Sequence, residues 1–313
     1  MTTSPTYDVA VIGGGAAGLS AAVVLARSLR SVTVVDAGEP RNAPAAGAHN
    51  VLGREGISPH ELLAAGRREA QHYGAEVRHD RAVGARRDDA GFEVDLGSGG
   101  SLRARRLLLA TGLVDELPDV PGVRELWGRS VLHCPYCHGY EVRGQRIGVL
   151  GTSAFSVHQA LLFQQLSDNV TLFVHTMPDP GDEAWAQLAA LGVRTVSGSV
   201  DRLLVEDDAL LAVVLEDGHK LDVDAVAVAP HFVARAELYE KLGGRLAEHP
   251  MGWFVPTGQM GSTDVPGVWA AGNVSDLSAS VAVAMGEGVA AAGAMNADLV
   301  AEDARAAVRA REM

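Results

Sequence analysis

Cysteine is scarce in this chain. Its 313 residues include two, and both fall in one hexapeptide, His133-Cys134-Pro135-Tyr136-Cys137-His138. No second Cys-x-x-Cys exists to complete a four-ligand zinc site, and six consecutive residues cannot easily wrap a tetrahedron. Positive charge is also short: 26 Lys and Arg stand against 39 Asp and Glu, a formal net charge of -13. No basic cluster breaks that balance, which argues against nucleic acid or an anionic membrane surface as a partner. Long apolar runs are missing too. The stretch 279–300 is broken by Gly286, Gly288 and Gly293 and carries Glu287, so nothing reads as a membrane span. Residues 1–7 are short and polar and pass at once into a buried-strand pattern, which leaves no room for a secretory signal. With its two cysteines set as an exchange motif, the chain is expected in the cytoplasm.

What is present points to a well-packed α/β enzyme. Hydrophobic residues make up 47% of the chain, and 313 residues are many for one core, so two domains are expected. The chain opens with a β-turn-α-β run: strand 9–12, glycine turn 13–18, Ala-rich helix 19–30, strand 31–36. A helix follows with Ser58 as N-cap, Pro59 in the first helical position and Glu61 completing a capping box, stopping after Tyr73 at Gly74. Strand 105–110 ends in Thr111-Gly112, and the Pro/Gly-rich stretch 117–122 reads as a connection. A second β-turn-α-β unit follows the cysteines: strand 146–150, turn at Gly151, helix 154–166, strand 170–174. Further strands are expected at 209–215 and 225–229, and an Ala-rich helical region ends the chain.

Gly13-Gly14-Gly15-Ala16-Ala17-Gly18 fits the dinucleotide turn between strand and helix. Gly13 makes the tight turn, Gly15 lets a pyrophosphate approach the backbone, and Gly18 permits close helix packing. Asp36, ending the next strand, is placed to accept a hydrogen bond from an adenosine ribose. The second unit fails the same test, since its turn reads Gly151-Thr152-Ser153-Ala154-Phe155-Ser156. Ser153 stands at the closest-approach position and Ser156 at the packing position, and no arginine follows Val174 to grip a 2′-phosphate.

A Cys-x-x-Cys pair closes a short ring and exchanges readily with other dithiols. Thiol exchange needs a base for the attacking thiol and an acid for the leaving one, and His133 and His138 touch the two cysteines. The residues do not rank these two histidines. The bland alternatives are a zinc half-site and an inert buried pair. The remaining histidines read as structural, except that the loop of His49 follows the strand ending at Asp36 and could reach a cofactor held there.

The glycine turn, Ala110-Thr111-Gly112, Cys134-x-x-Cys137 and the run Thr263-Asp264-Val265-Pro266-Gly267-Val268-Trp269-Ala270-Ala271-Gly272-Asn273 together resemble the low-molecular-weight thioredoxin reductases over nearly the whole chain. The resemblance implies two Rossmann-like domains, the second inserted into the first. Residues 1–114 and 246–313 form a discontinuous FAD-binding domain, and 115–245 carry the redox cysteines. It places FAD against Gly13, Gly15, Ala16, Ala17, Gly18, Asp36, Ala37, Asn50, Ala110, Thr111, Gly112, Gly272, Asn273 and Val281, and it implies a homodimer. The chain departs from that pattern in three places. His138 takes the slot of an aspartate after the second cysteine, the NADPH glycines and arginines are missing, and Asn273 replaces an aspartate while still able to bond a ribityl hydroxyl.

Cys134-x-x-Cys137-His138-Gly139-Tyr140-Glu141 without an NADPH site looks like the thioredoxin-reductase-like dithiol oxidases, which close the disulfide of antibiotics and toxins such as holomycin, gliotoxin and romidepsin. The Ala-, Arg- and Gly-rich composition points among them to the bacterial holomycin type. The resemblance implies that a small-molecule dithiol attacks Cys134, that Cys137 passes the electrons to FAD, and that molecular oxygen takes them as hydrogen peroxide. Pro135, Tyr136 and Trp127 are candidate apolar walls for that substrate. The rival readings are an NADPH-dependent disulfide reductase and a non-catalytic flavin-bound redox sensor.

Overall fold

The computed structural model describes residues 5–312. Residues 1–4, the start of the polar stretch read above as holding no signal, and residue 313 lie outside the described residues. By contact the chain forms two units. One takes Met1–Ala43, Asn50–Val114 and Phe232–Met313, the other Pro44–His49 and Asp115–His231. Helices are numbered along the chain: α1 Ala16–Arg27, α2 Pro59–His72, α3 Pro135–His138, α4 Phe155–Gln164, α5 Asp182–Ala190, α6 Glu237–Lys241 and α7 Val281–Glu312.

The first unit is built on a seven-stranded sheet. Strand Thr6–Ile12 pairs in parallel with Val32–Asp36 on one side and Ser101–Leu109 on the other. Val268–Ala270 adds to Ser101–Leu109 in parallel, and the antiparallel pair Ala82–Asp88 and Gly91–Leu96 extends its opposite end. Successive strand residues point to opposite faces. Val9, Val11, Val34 and Leu108 therefore pack with Ala21, Ala22 and Leu25 of α1 and Ala291, Ala292 and Met295 of α7. Ala10, Ile12, Val35, Leu107 and Leu109 face the other way, against Phe92, Val94, Leu238 and Tyr239. Burying each large apolar side chain contributes roughly 2 kcal/mol over leaving it exposed, so a one-residue slip of register would forfeit both faces at once.

The second unit holds a five-stranded sheet in the order Arg194–Val196, Val170–Phe173, Ile147–Leu150, Ala225–Ala227, Val131–Leu132, parallel throughout. A three-stranded antiparallel sheet, Val200–Glu206, Ala209–Leu215 and Lys220–Asp222, accompanies it. The α/β class with two Rossmann-like units is as expected from the sequence. The short helix α3 and helix α5 were not foreseen.

Several local expectations change. Helix α1 starts at Ala16 rather than 19, because Gly15 is its N-cap and the Leu19 amide already donates to the Gly15 carbonyl at 3.0 Å. Ser58 does stand at the N-cap of α2, but its side chain makes no capping hydrogen bond, so the capping box is not formed. The chain rejoins the first unit at Phe232, not at 246. Phe232 buries against Leu113 and Leu277, and Ala234, Ala236, Leu238 and Tyr239 belong to the core beneath the first sheet. Residues 44–49, assigned with the first unit from sequence, go with the second.

Candidate active site

The glycine turn of the first unit is shaped by its own backbone. Gly13 has φ +109°, and a Cβ there would lie 2.2 Å from the Ala110 carbonyl oxygen. A Cβ on Gly18 would lie 1.9 Å from the Gly13 oxygen, so Gly18 is required for the turn to close on α1. Gly15 is different. Among the described residues, its chain neighbours and its own helix backbone apart, nothing lies within 4 Å of where its Cβ would be, and it caps the helix whose first amides, from Ala16 and Ala17 onward, face a partner from outside. That open side beside unpaired helix amides fits a pyrophosphate.

Asp36 ends strand Val32–Asp36. Its Oδ1 accepts from the Gly14 amide at 3.1 Å and the Gly38 amide at 3.2 Å, beyond Ala37. Its Oδ2 stands 3.8 Å from Arg67 of α2, a residue that sequence reasoning passed over. Opposite, the Ala110 amide donates to the Ile12 carbonyl at 2.8 Å, and the turn is clamped where Thr111 Oγ1 donates to the Arg235 carbonyl at 2.6 Å. The Arg235 amide returns a bond to the Gly112 carbonyl at 2.9 Å.

At the far end of the chain, Gly272 has φ +78° and donates its amide to Glu287 at 2.6 Å. Burial raises that carboxyl above the usual carboxylate range, against the Gly272 bond. A Cβ on Gly288 would lie 2.1 Å from the Ala17 carbonyl oxygen, so α7, which begins at Val281, can press against the first turn of α1. Asn273 is more heavily engaged than its sequence suggests. Its Nδ2 donates to the carbonyls of Asp276 and Ala279, both at 3.0 Å, and its Oδ1 accepts from Arg41 at 3.2 Å. Only the remaining acceptor capacity of Oδ1 is left for a ribityl hydroxyl. Asn50 adopts φ +60°, with its amide held by Glu55 at 2.9 Å.

The corresponding turn of the second unit is closed from within. The Ser156 side chain is fully buried, and its Oγ accepts from the amides of Thr152 at 3.1 Å and Ser153 at 3.4 Å. These are the groups a phosphate-binding turn would offer to its ligand. After strand Val170–Phe173, His175 turns at φ +47° and its Nδ1 accepts from the Val200 amide at 3.0 Å. Burial lowers the His175 pKa, and Met177 is buried beside Gly151.

Cys134 is the N-cap of α3, and its carbonyl accepts from the amides of Cys137 and His138, both at 3.2 Å. Both cysteines are half-buried. His133 Nδ1 lies 3.1 Å from the Val228 carbonyl, which can only accept, so Nδ1 carries the hydrogen and the ring's acceptor is Nε2. Gln159 of α4, buried and unforeseen, donates to the carbonyls of His133 at 2.7 Å and Val228 at 3.1 Å. His138 stands apart from these bonds. Its Nε2 is buried and makes no hydrogen bond among the described residues. Burial pushes the imidazole below its ordinary pKa; the Glu141 carboxylate opposes that and His49 adds to it. His138 is therefore neutral at neutral pH and can accept a proton.

Tyr136 is 72% exposed on α3, whereas Trp127 is partly buried and packs on the core cluster around Val120, Val123 and Leu126. Among the described residues no group of three or more His, Cys, Asp or Glu is arranged to hold a metal ion, and no helix is long and apolar enough to cross a membrane.

Fold and site define a flavin-dependent disulfide oxidoreductase. The family model described as pyridine nucleotide-disulphide oxidoreductase matches residues 7–288, and the chain belongs to that family, whose cofactor is FAD. Among curated relatives, the protein named thioredoxin reductase tcpT of Claviceps purpurea is 34% identical over 284 residues, 87% of this chain and 88% of its own. Thioredoxin reductase aclD of Aspergillus oryzae is 29% identical over 304 residues, 92% of this chain and 95% of its own. Among solved structures, HlmI superposes with a TM-score of 0.92 at 46% identity, covering 99% of this chain and 97% of that one. An oxidoreductase from Agrobacterium tumefaciens superposes at 0.89 with 36% identity, covering 94% and 99%. The thioredoxin-reductase-like resemblance read from the motifs thus extends along nearly the whole chain.

Proposed function

We propose that this chain is an FAD-dependent dithiol oxidase that closes an intramolecular disulfide in a small-molecule dithiol. The observation that carries this reading is Ser156. With its hydroxyl holding the Thr152 and Ser153 amides, the second unit offers no phosphate cradle to NADPH, so electrons enter through the cysteines. Within the class, the similarity to HlmI supports the holomycin type. The substrate on this reading is a small natural-product dithiol, and the enzyme acts on it as a homodimer in the cytoplasm.

His138 accepts a proton from one substrate thiol. The thiolate attacks Cys134 of the Cys134-Cys137 disulfide, the S–S bond breaks, and Cys137 leaves as a thiolate. The second substrate thiol, deprotonated in turn, attacks the substrate sulfur of the mixed disulfide and expels Cys134. The substrate loses two electrons and two protons and leaves as a cyclic disulfide, while the cysteines hold the dithiol. His133, its Nδ1 bound to Val228 and its main chain to Gln159, keeps Cys134 in place. The first unit would hold FAD by the α1 amides, Asp36 and the Gly272-Asn273 turn, and FAD held there would supply the two-electron redox chemistry that links the reduced cysteines to molecular oxygen, with hydrogen peroxide as the product.

An anaerobic titration tests the reading. Dithiothreitol should bleach the yellow protein, and air should restore the colour with formation of peroxide. Rapid bleaching by NADPH would instead make the protein a reductase like those its relatives are named for. Bleaching by thiols without repeated turnover in air would make it a redox sensor.

A further inference from the structure

Beside His138 stand two ionisable side chains, His49 and Glu141, that the reaction scheme leaves unused. The segment Pro44–His49 packs with the second unit, with Ala45 and Ala48 buried and Pro44 set against Gly128, where an added Cβ would come within 2.6 Å. This carries His49 to the dithiol turn. Its ring stands edge-on to that of His138 with centroids 6.3 Å apart, and its Nε2 lies 3.5 Å from Glu141 Oε1. Glu141 follows His138 by one turn of chain and is the carboxylate acting on it.

We infer that Glu141 and His49 are positioning residues for His138, Glu141 supplying the negative field that lets a buried imidazole take the thiol proton and His49 restraining that field. The inference rests on the reading of His138 as the base. A buried imidazole resists charging, and when it accepts a proton the nearest opposite charge decides how readily it does so. Glu141 is that charge. His49, 3.5 Å from the same carboxylate, shares it and, when protonated, opposes a second positive charge on the neighbouring ring. The other ionisable groups on the same turn of chain are Cys134, Cys137, His133 and exposed Tyr136, and α4, which packs on α3, carries His158 in an exposed position. In the following turn, the Arg143 guanidinium is drawn onto the Tyr140 ring, 3.9 Å from its centroid, and onto the Tyr140 carbonyl at 2.6 Å.

The two positions have opposite signs, which a merely structural role would not give. Glu141→Gln removes attraction, so the His138 titration and the acid limb of kcat/KM for dithiothreitol oxidation should both move to lower pH. His49→Gln removes repulsion and releases Glu141, so both should move to higher pH. Glu141→Asp should restore the wild-type direction. The ring titration, followed by nitrogen-15 NMR of labelled FAD-bound protein, reads His138 independently of turnover. Shifts of the same sign in the two variants, or no shift in either, overturn the inference while a loss of activity in His138→Gln leaves the base reading standing. Wild-type activity in His138→Gln overturns the base reading itself.

Discussion

The amide of Thr152 donates to the hydroxyl of Ser156 at 3.1 Å, so a turn with the shape of a nucleotide site spends its donors on its own side chain. The Ser153→Gly/Ser156→Gly double variant should open the turn. Isothermal titration with NADPH should show no heat of binding for the wild-type chain and measurable binding for the variant. Ser156→Ala alone should cost about 1 kcal/mol in denaturant unfolding, from the lost side-chain acceptor. Wild-type binding of NADPH would contradict the closed turn.

Gly15 and Gly18 separate cofactor binding from folding. Gly15→Ala adds a methyl that meets no other segment within 4 Å among the described residues, so the melting temperature of the FAD-free protein should hold while FAD affinity falls. Gly18→Ala drives a methyl onto the Gly13 carbonyl and should destabilise the FAD-free protein by about 2 kcal/mol or more. Flavin content after gel filtration and thermal melts with and without FAD distinguish the two.

The cysteine roles predict a split phenotype. Cys137→Ser should still trap a thiol on Cys134, visible as a mass increase, but should not bleach the flavin. Cys134→Ser should do neither. His138→Gln should slow dithiol oxidation by about 10²–10⁴-fold without preventing FAD binding. Normal turnover by Cys137→Ser would reverse the assignment.

The C-terminal half of α7 is tied to the sheet by charge. Arg106, mostly buried, donates to Asp298 at 2.6 Å and to Glu302, and Arg105 reaches Glu302 at 2.6 Å. These bonds hold the Glu302 carboxyl below its ordinary range. Its contribution is therefore fully present above the pKa of the unfolded chain and is lost as the pH falls through the lower folded value. Arg106→Met should lower stability by roughly 1 kcal/mol at neutral pH, the carboxylates being partly solvated. That difference should shrink in acid and in high salt, as melts of both proteins across pH would show.

The legible parts of this molecule were those written locally. Gly13, Gly15 and Gly18 declare a backbone conformation, Asp36 follows at the end of the next strand, and Cys134 and Cys137 declare their exchange chemistry by spacing. The failed second turn could be read from Ser153 at the closest-approach position and Ser156 at the packing position, and what the structure adds is that the Ser156 hydroxyl holds the Thr152 and Ser153 amides. What the sequence could not show depends on contacts between distant segments. Arg67 meets Asp36 from a different helix. The place of His49 beside His138 follows from the packing of residues 44–49 with the second unit, which no local pattern announces. The return at Phe232 was missed because its burial depends on Leu113 and Leu277, neither adjacent in sequence. Gln159 reads as an ordinary helix residue until the carbonyls of His133 and Val228 are seen beneath it.

The first turn of α1 is completed by Gly272 and Gly288, whose missing side chains leave room for Ala17. In a chain synthesised from its N-terminus, that turn waits for partners that emerge only after the sheet and helices of 115–231. The cysteine-bearing unit is therefore expected to form ahead of the cofactor site, which would make cofactor loading a late event in the maturation of the enzyme.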